Sequence, residues 1–74
     1  MEVVMIIRTG NSTYQLSGAY DSFEIRKLSQ NPGSVATGQS MFGDHFDLRV
    51  GESFTLWDNG RRVLATSPVV AVLG

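Results

Sequence analysis

The residues with the greatest chemical capacity gather around one imidazole. His45, the single histidine of the 74-residue chain, is flanked by Asp44, with Asp47 two positions on and Ser40 nearby. A Ser, His and Asp set can therefore be written down. Nucleophilic catalysis asks for more than residue types, because the base must reach an activated hydroxyl and donors must meet the oxyanion. No strand-to-helix nucleophile elbow occurs in the chain, so these residues speak against an enzyme. In an extended segment His45 and Asp47 share a face and offer two ligands to a metal ion, but a third and fourth must come from elsewhere. An exposed histidine at the end of a loop is the simpler expectation, with no metal and no cofactor. Paired carboxylates for acid and base work would have to be assembled from Asp21, Glu24, Asp44, Asp47, Glu52 and Asp58, and nothing local joins any two of them.

Binding has better material. Arg8, Arg26, Lys27, Arg49, Arg61 and Arg62 are spread over separate segments. Several of them converging on the mouth of a small barrel would grip a phosphate-bearing ligand bidentately; otherwise they are ordinary solvated charges. Trp57 is the sole tryptophan, and Tyr14, Tyr20, Phe42 and Phe54 are expected to be partly exposed. Aromatic rings beside basic groups stack nucleobases, although they serve packing or a protein interface equally well. The expected contact residues are Trp57, Arg61, Arg62, Arg49, Phe42 and His45. Gly33, Gly38 and Gly43 recur every five residues but lack the Gly-Lys-Ser/Thr ending of a phosphate loop. Asn31, Pro32 and Gly33 form either a plain turn or a nest of inward N–H groups for an anion. Asn11, Ser12 and Thr13 match a glycosylation triplet, but are turn residues first.

Composition narrows the classes. Six Lys plus Arg against seven Asp plus Glu leave a net charge of −1, so no global positive field draws the chain to nucleic acid or to an anionic membrane. Apolar types reach 42%, too high for an intrinsically disordered chain. One domain over residues 1–74 is expected, and without cysteine it has neither a disulfide staple nor a thiolate metal site. A core this small rarely supplies more than about 3 to 5 kcal/mol, so a closed barrel and self-association are expected together. The longest apolar runs, Val3 to Ile7 and Val69 to Leu73, are far shorter than the roughly 20 residues needed to span a bilayer. With no secretory leader evident at Met1 and Glu2, a cytoplasmic site is the expectation.

These residues must be positioned by strands. Val3 to Ile7 is β-branched apart from Met5 and reads as a strand buried on both faces, ending in turn formers from Thr9 to Ser12. Thr13 to Ser17 alternates, with Tyr14 and Leu16 on one face, and closes a hairpin with it. Phe23 and Ile25 alternate with Glu24 and Arg26 until the pattern inverts, which predicts a bulge or strand end near Lys27. From Ser29 to Asp44 no period fits, and a long loop is predicted there as the working rim. Phe46 to Val50 reads as a strand. Asn59 and Gly60 both tolerate positive φ and predict a type I′ turn joining Phe54–Asp58 to Arg61–Thr66. Ser67 and Pro68 are expected to break the ladder before a last strand, Val69 to Leu73, which must pair with the first strand or with a neighbouring subunit. About six short strands with little helix give an all-β fold, a small barrel of the Src-homology-3 or oligonucleotide-binding kind.

Two stretches together carry a resemblance: IRTGNSTYQL at Ile7 to Leu16 and TSPVVAVL at Thr66 to Leu73, with VGESFTL at Val50 to Leu56 between them. The chain resembles small uncharacterised proteins of actinobacterial phages and prophages, which share an Asn-Ser-x-Tyr in the first hairpin and a terminal Thr-Ser-Pro-Val-Val. The resemblance covers the two ends and not the central stretch. It implies a phage accessory protein, a class that includes inhibitors of host defence which bind host proteins or sequester nucleotide signals, and it carries over no catalytic residue. The expected function is binding without chemistry, by a protein that self-associates through its terminal strands and masks a host protein or captures a small anionic ligand. A nucleic-acid-binding barrel is the competing class.

Overall fold

A computed structural model describes residues 2–30, 34–35 and 40–74. Among them eight strands are present, two more than expected, and no helix. The predicted first hairpin is formed by β1 (Glu2–Thr9) and β2 (Ser12–Ala19), paired from Glu2↔Ala19 to Arg8↔Thr13. Thr9 holds the turn together. Its buried hydroxyl oxygen accepts from the amides of Ser12 at 3.0 Å and Asn11 at 3.3 Å and donates to the Ser12 carbonyl at 3.1 Å.

The expectation that Val3 to Ile7 is buried on both faces does not hold. Ile7 is fully buried, and Val3 and Met5 pack against the core, but Val4 on the opposite face is 56% exposed. The antiparallel sheet is covered on one side only, so the outward residues of β1 meet solvent however apolar they are.

β3 (Ser22–Gln30) turns Phe23 and Ile25 inward. Its register against β2 shifts between Tyr14↔Lys27 and Thr13↔Ser29, which leaves Leu28 as an extra residue. This is the bulge predicted near Lys27. The loop predicted from Ser29 to Asp44 is corrected in part: β3 continues to Gln30, β4 (Ser34–Val35) pairs with its end, and β5 (Ser40–Gly43) pairs with Phe23 to Arg26. A short strand at the margin of a sheet needs few apolar side chains, so it leaves no period to read. Residues 31–33 and 36–39, and with them the candidate anion nest, lie outside the described residues.

β6 (His45–Asp47) stops short of the predicted Val50. The chain turns there, the Glu52 amide donating to the Arg49 carbonyl at 3.1 Å, while Val50 bridges in parallel to Val69. β7 (Ser53–Asp58) and β8 (Arg61–Leu73) form the predicted two-residue hairpin, with φ of 52° at Asn59 and 78° at Gly60. Nothing crowds a Cβ at Gly60, so the strain of a β-branched residue in that conformation acts alone. Gly60→Val is expected to lower the unfolding free energy by about 1 to 3 kcal/mol, read as a shifted urea midpoint.

The predicted break at Pro68 is absent, and β8 runs straight through it. Pro68 stands opposite Ser53 beside a register shift, where the Phe54 amide donates instead to Thr66 Oγ1 at 3.1 Å and the Val69 amide to the Glu52 carbonyl at 2.9 Å. The missing proline donor therefore leaves no partner stranded. Beyond it β8 changes neighbours: its first half pairs with β7, its second with β1 from Thr9↔Val69 to Ile6↔Leu73. The last strand thus pairs with the first, one of the two partners expected for it.

The sheet order β4-β3-β2-β1-β8-β7-β6, with β5 also beside β3, curls into a small half-barrel. Its core is Ile7, Tyr14, Leu16, Phe23, Ile25, Phe54, Leu56 and Val69. Tyr14 and Phe54 are therefore buried, not partly exposed as expected, whereas Tyr20 and Phe42 are exposed. The Phe23 ring meets Phe46 edge-on at 4.9 Å and Phe46 stacks on Phe54 at 5.8 Å, an aromatic run that fills the space between β3 and the β6–β7 pair.

Candidate functional site

The outer face of the β6–β7 pair carries two of the six expected contact residues, and β8 brings a third beside them. Phe46 and Leu56 pair and turn toward the core, so the alternation sends His45, Trp57, Asp47 and Thr55 outward. Their register places His45 opposite Trp57 and Asp47 opposite Thr55. The indole is tethered: Trp57 Nε1 donates to Asp47 Oδ2 at 3.0 Å, and His45 Nε2 stands 3.5 Å from Asp47 Oδ1. On its other flank Trp57 pairs with Arg62, beside a register shift that makes Val63 the extra residue of β8. The result is a row of guanidinium, indole and imidazole across three strands.

Asp44 fixes this face to the rest of the fold. Its amide donates to the Trp57 carbonyl at 2.9 Å, and its Oδ2 accepts from the Asn59 amide at 3.0 Å. The tip of the β7–β8 hairpin is thereby fastened to the corner where β5 passes into β6. Around that tip Phe42, 63% exposed, lines a groove with Asp58, Asn59, Arg61 and Val63. Arg49 lies apart, past Thr55, in a shallow hollow with Asp47, Leu48, Glu52 and Ser53, 3.9 Å from the Glu52 carboxylate.

The structure therefore brings Trp57, His45 and Arg62 together, places Phe42 and Arg61 around the adjoining tip, and leaves Arg49 at the far end. His45 and Asp47 share a face as predicted, and His45 is exposed as expected, opening β6 directly after the bend at Asp44. Among the described residues no group of three or more His, Asp and Glu could hold a metal ion. The Ser40 hydroxyl donates to Glu24 Oε2 at 2.7 Å, an engagement on the β3–β5 pair that has no part for His45. The bond from Asn59 to Asp44 has no signature in the amino-acid sequence, since a side chain capping a distant turn leaves no local pattern.

The electrostatics are mixed. His45, Arg49, Arg61 and Arg62 are interleaved with Asp44, Asp47, Glu52 and Asp58 on the same surface. Such a surface has no single-sign basin for a polyanion to fall into. Among the described residues no helix is long and apolar enough to cross a membrane. No protein-family model, no curated protein and no solved structure matches the chain.

Proposed function

We propose that the protein is a non-enzymatic binding module that masks another protein through the outer face of β6 and β7 and the tip of the β7–β8 hairpin. The observation that supports it is the row His45–Trp57–Arg62, its indole tethered to Asp47, with exposed Phe42 and Arg61 beside it. Tryptophan, other aromatic residues and arginine are the types most enriched where proteins meet, and a rigidly held indole loses little freedom on contact. Capture of a small anionic, nucleotide-like ligand is less well served, because carboxylates stand between the guanidinium groups and the hollows are open. In this reading the resemblance at Ile7–Leu16 and Thr66–Leu73 supplies the setting, a phage accessory protein acting on a bacterial host protein in its cytoplasm. Self-association through the terminal strands uses side chains such as Val4 and Val70, because β1 and β8 already pair with each other inside one chain.

A photo-crosslinking residue at Thr55, beside Trp57 on the exposed face, tests this in an actinobacterial host. One dominant covalent protein adduct is expected, lost with Trp57→Ala and absent when the probe sits at Ser17 on the β2 face. Equal labelling from both positions would overturn it. A nucleic-acid-binding barrel of the Src-homology-3 or oligonucleotide-binding kind makes the opposite prediction. Its affinity for a single-stranded oligonucleotide must fall by orders of magnitude between about 50 and 200 mM salt, whereas the mixed surface described above is expected to show no tight oligonucleotide binding at either.

A further inference from the structure

β8 has two sides, and beyond Val69 the described chain uses one of them. β1 occupies that side from Thr9↔Val69 to Ile6↔Leu73. The other side is taken by β7 up to Pro68 and then by the turn before β7, where the Val69 amide donates to the Glu52 carbonyl at 2.9 Å and the Val69 carbonyl accepts from the Gly51 amide at 2.8 Å. Past that point no described strand pairs with this side. Val70, Val72 and Leu73 are accordingly 58%, 37% and 54% exposed. Both faces of this edge are apolar. Val72 stands opposite Ile7 on the core side, and Leu73 opposite Ile6 on the outer side, the face that also carries exposed Val4.

We infer that this edge meets its own copy, with β8 antiparallel to β8 of a second molecule about a two-fold axis at Val72. This rests on the self-association in the reading above and names the element and register that carry it. Natural proteins guard open strand edges with charge, proline or a bulge. Here Pro68 and the register shift beside Val69 both come before Ala71, and Val69 to Leu73 carries no charge. Facing residues of an antiparallel ladder point to the same side of the sheet, so outward Ala71 and Leu73 must meet each other or themselves. A register centred on Ala71 would call on Val69, whose amide and carbonyl are already engaged. One centred on Leu73 gives Ala71 no described partner. The register centred on Val72 pairs Ala71 with Leu73 in both directions, as an isologous contact requires. No like charges are brought together, and one contact covers the exposed edge of both molecules. A foreign peptide is less well received, because added strands draw selectivity from pockets that take alternate side chains, and neither hollow described above is lined from residues 70–73.

Sedimentation equilibrium of the full chain from about 5 to about 500 μM tests this, a range suited to a small interface, with amide exchange followed over the same concentrations. A monomer–dimer equilibrium is expected, in which the amides of residues 70–73 that point away from β1 slow by about tenfold or more as the dimer fills. Val72→Lys sets two ammonium groups against each other at the axis and is expected to leave a folded monomer, and Val72→Glu to do the same with two carboxylates. An equimolar mixture of the two variants is expected to dimerise again, since the facing charges are then opposite. Should either variant fail to fold, the exchange of the parent chain decides alone. A dimer that survives Val72→Lys, or that forms while residues 70–73 exchange freely, would overturn the edge pairing and leave self-association through another surface standing. A chain that stays monomeric throughout would overturn both, while the crosslink at Thr55 judges the masking reading separately.

Discussion

Gly43→Val is expected to leave little folded protein. A Cβ at Gly43 would overlap the Trp57 carbonyl oxygen and stand 2.8 Å from Cγ and Cδ1 of Leu56. The first obstacle is backbone, and it is the acceptor that the Asp44 amide uses, so it cannot swing aside as a flexible side chain would. The second is a fully buried core residue. Relief requires β5 to lift away from β7, which parts the corner where β5 passes into β6. Overpacking of this kind costs about 1 to 3 kcal/mol for a methylene in a yielding core, and more where backbone blocks the way. Gly10→Ala is the matching control, because a Cβ there meets nothing within 4 Å, and its effect should stay within about 0.5 kcal/mol. Urea unfolding of the two variants beside the parent decides the matter. Equal midpoints would show that the close approach at Gly43 is not structurally required.

Phe54→Ala is expected to rank next. Phe54 is fully buried on β7, stacked on Phe46, whose ring in turn meets Phe23 of β3. Removing the ring takes away the end of an aromatic run that joins two layers and leaves a void that a strand cannot collapse to fill. Truncations of this type cost about 3 to 5 kcal/mol, comparable to the whole stability expected of a core this small. Thermal unfolding followed by near-ultraviolet dichroism should show a broad, early loss of signal, and Phe54→Leu should recover most of it. A sharp transition near the parent temperature in Phe54→Ala would mean that the ring contributes little to the contact between the layers.

Elements whose determinants are local were legible in the amino-acid sequence. The first hairpin follows from alternation on either side of Thr9–Ser12, the bulge from the inversion near Lys27, and the Asn59–Gly60 turn from two residues that tolerate positive φ. Elements set by distant partners were not. Pro68 looks like a strand breaker until Thr66 Oγ1 and the Glu52 carbonyl take up the amides around it. Nothing local marks Phe54 as the buried ring of β7 and Trp57 as the one turned outward, its indole N–H satisfied by Asp47 from another strand. The four residues of β5 carry no periodic signal because its placement depends on Gly43 fitting beneath β7. Of the candidate contact residues, Trp57, His45 and Arg62 were readable as types but not as neighbours. Their adjacency is a matter of register, which no single segment encodes.

One property of β8 reaches beyond the static picture. Because a single unbroken strand is laced to β7 in its first half and to β1 in its second, neither ladder can come apart without loosening the other. Partial opening has no seam to follow, and deuterium uptake by β1, β7 and β8 should fall into one kinetic class near the global limit. Pressure applied at the Asn59–Gly60 tip would then be felt as far away as Ile6 and Leu73, as if along a shared spine.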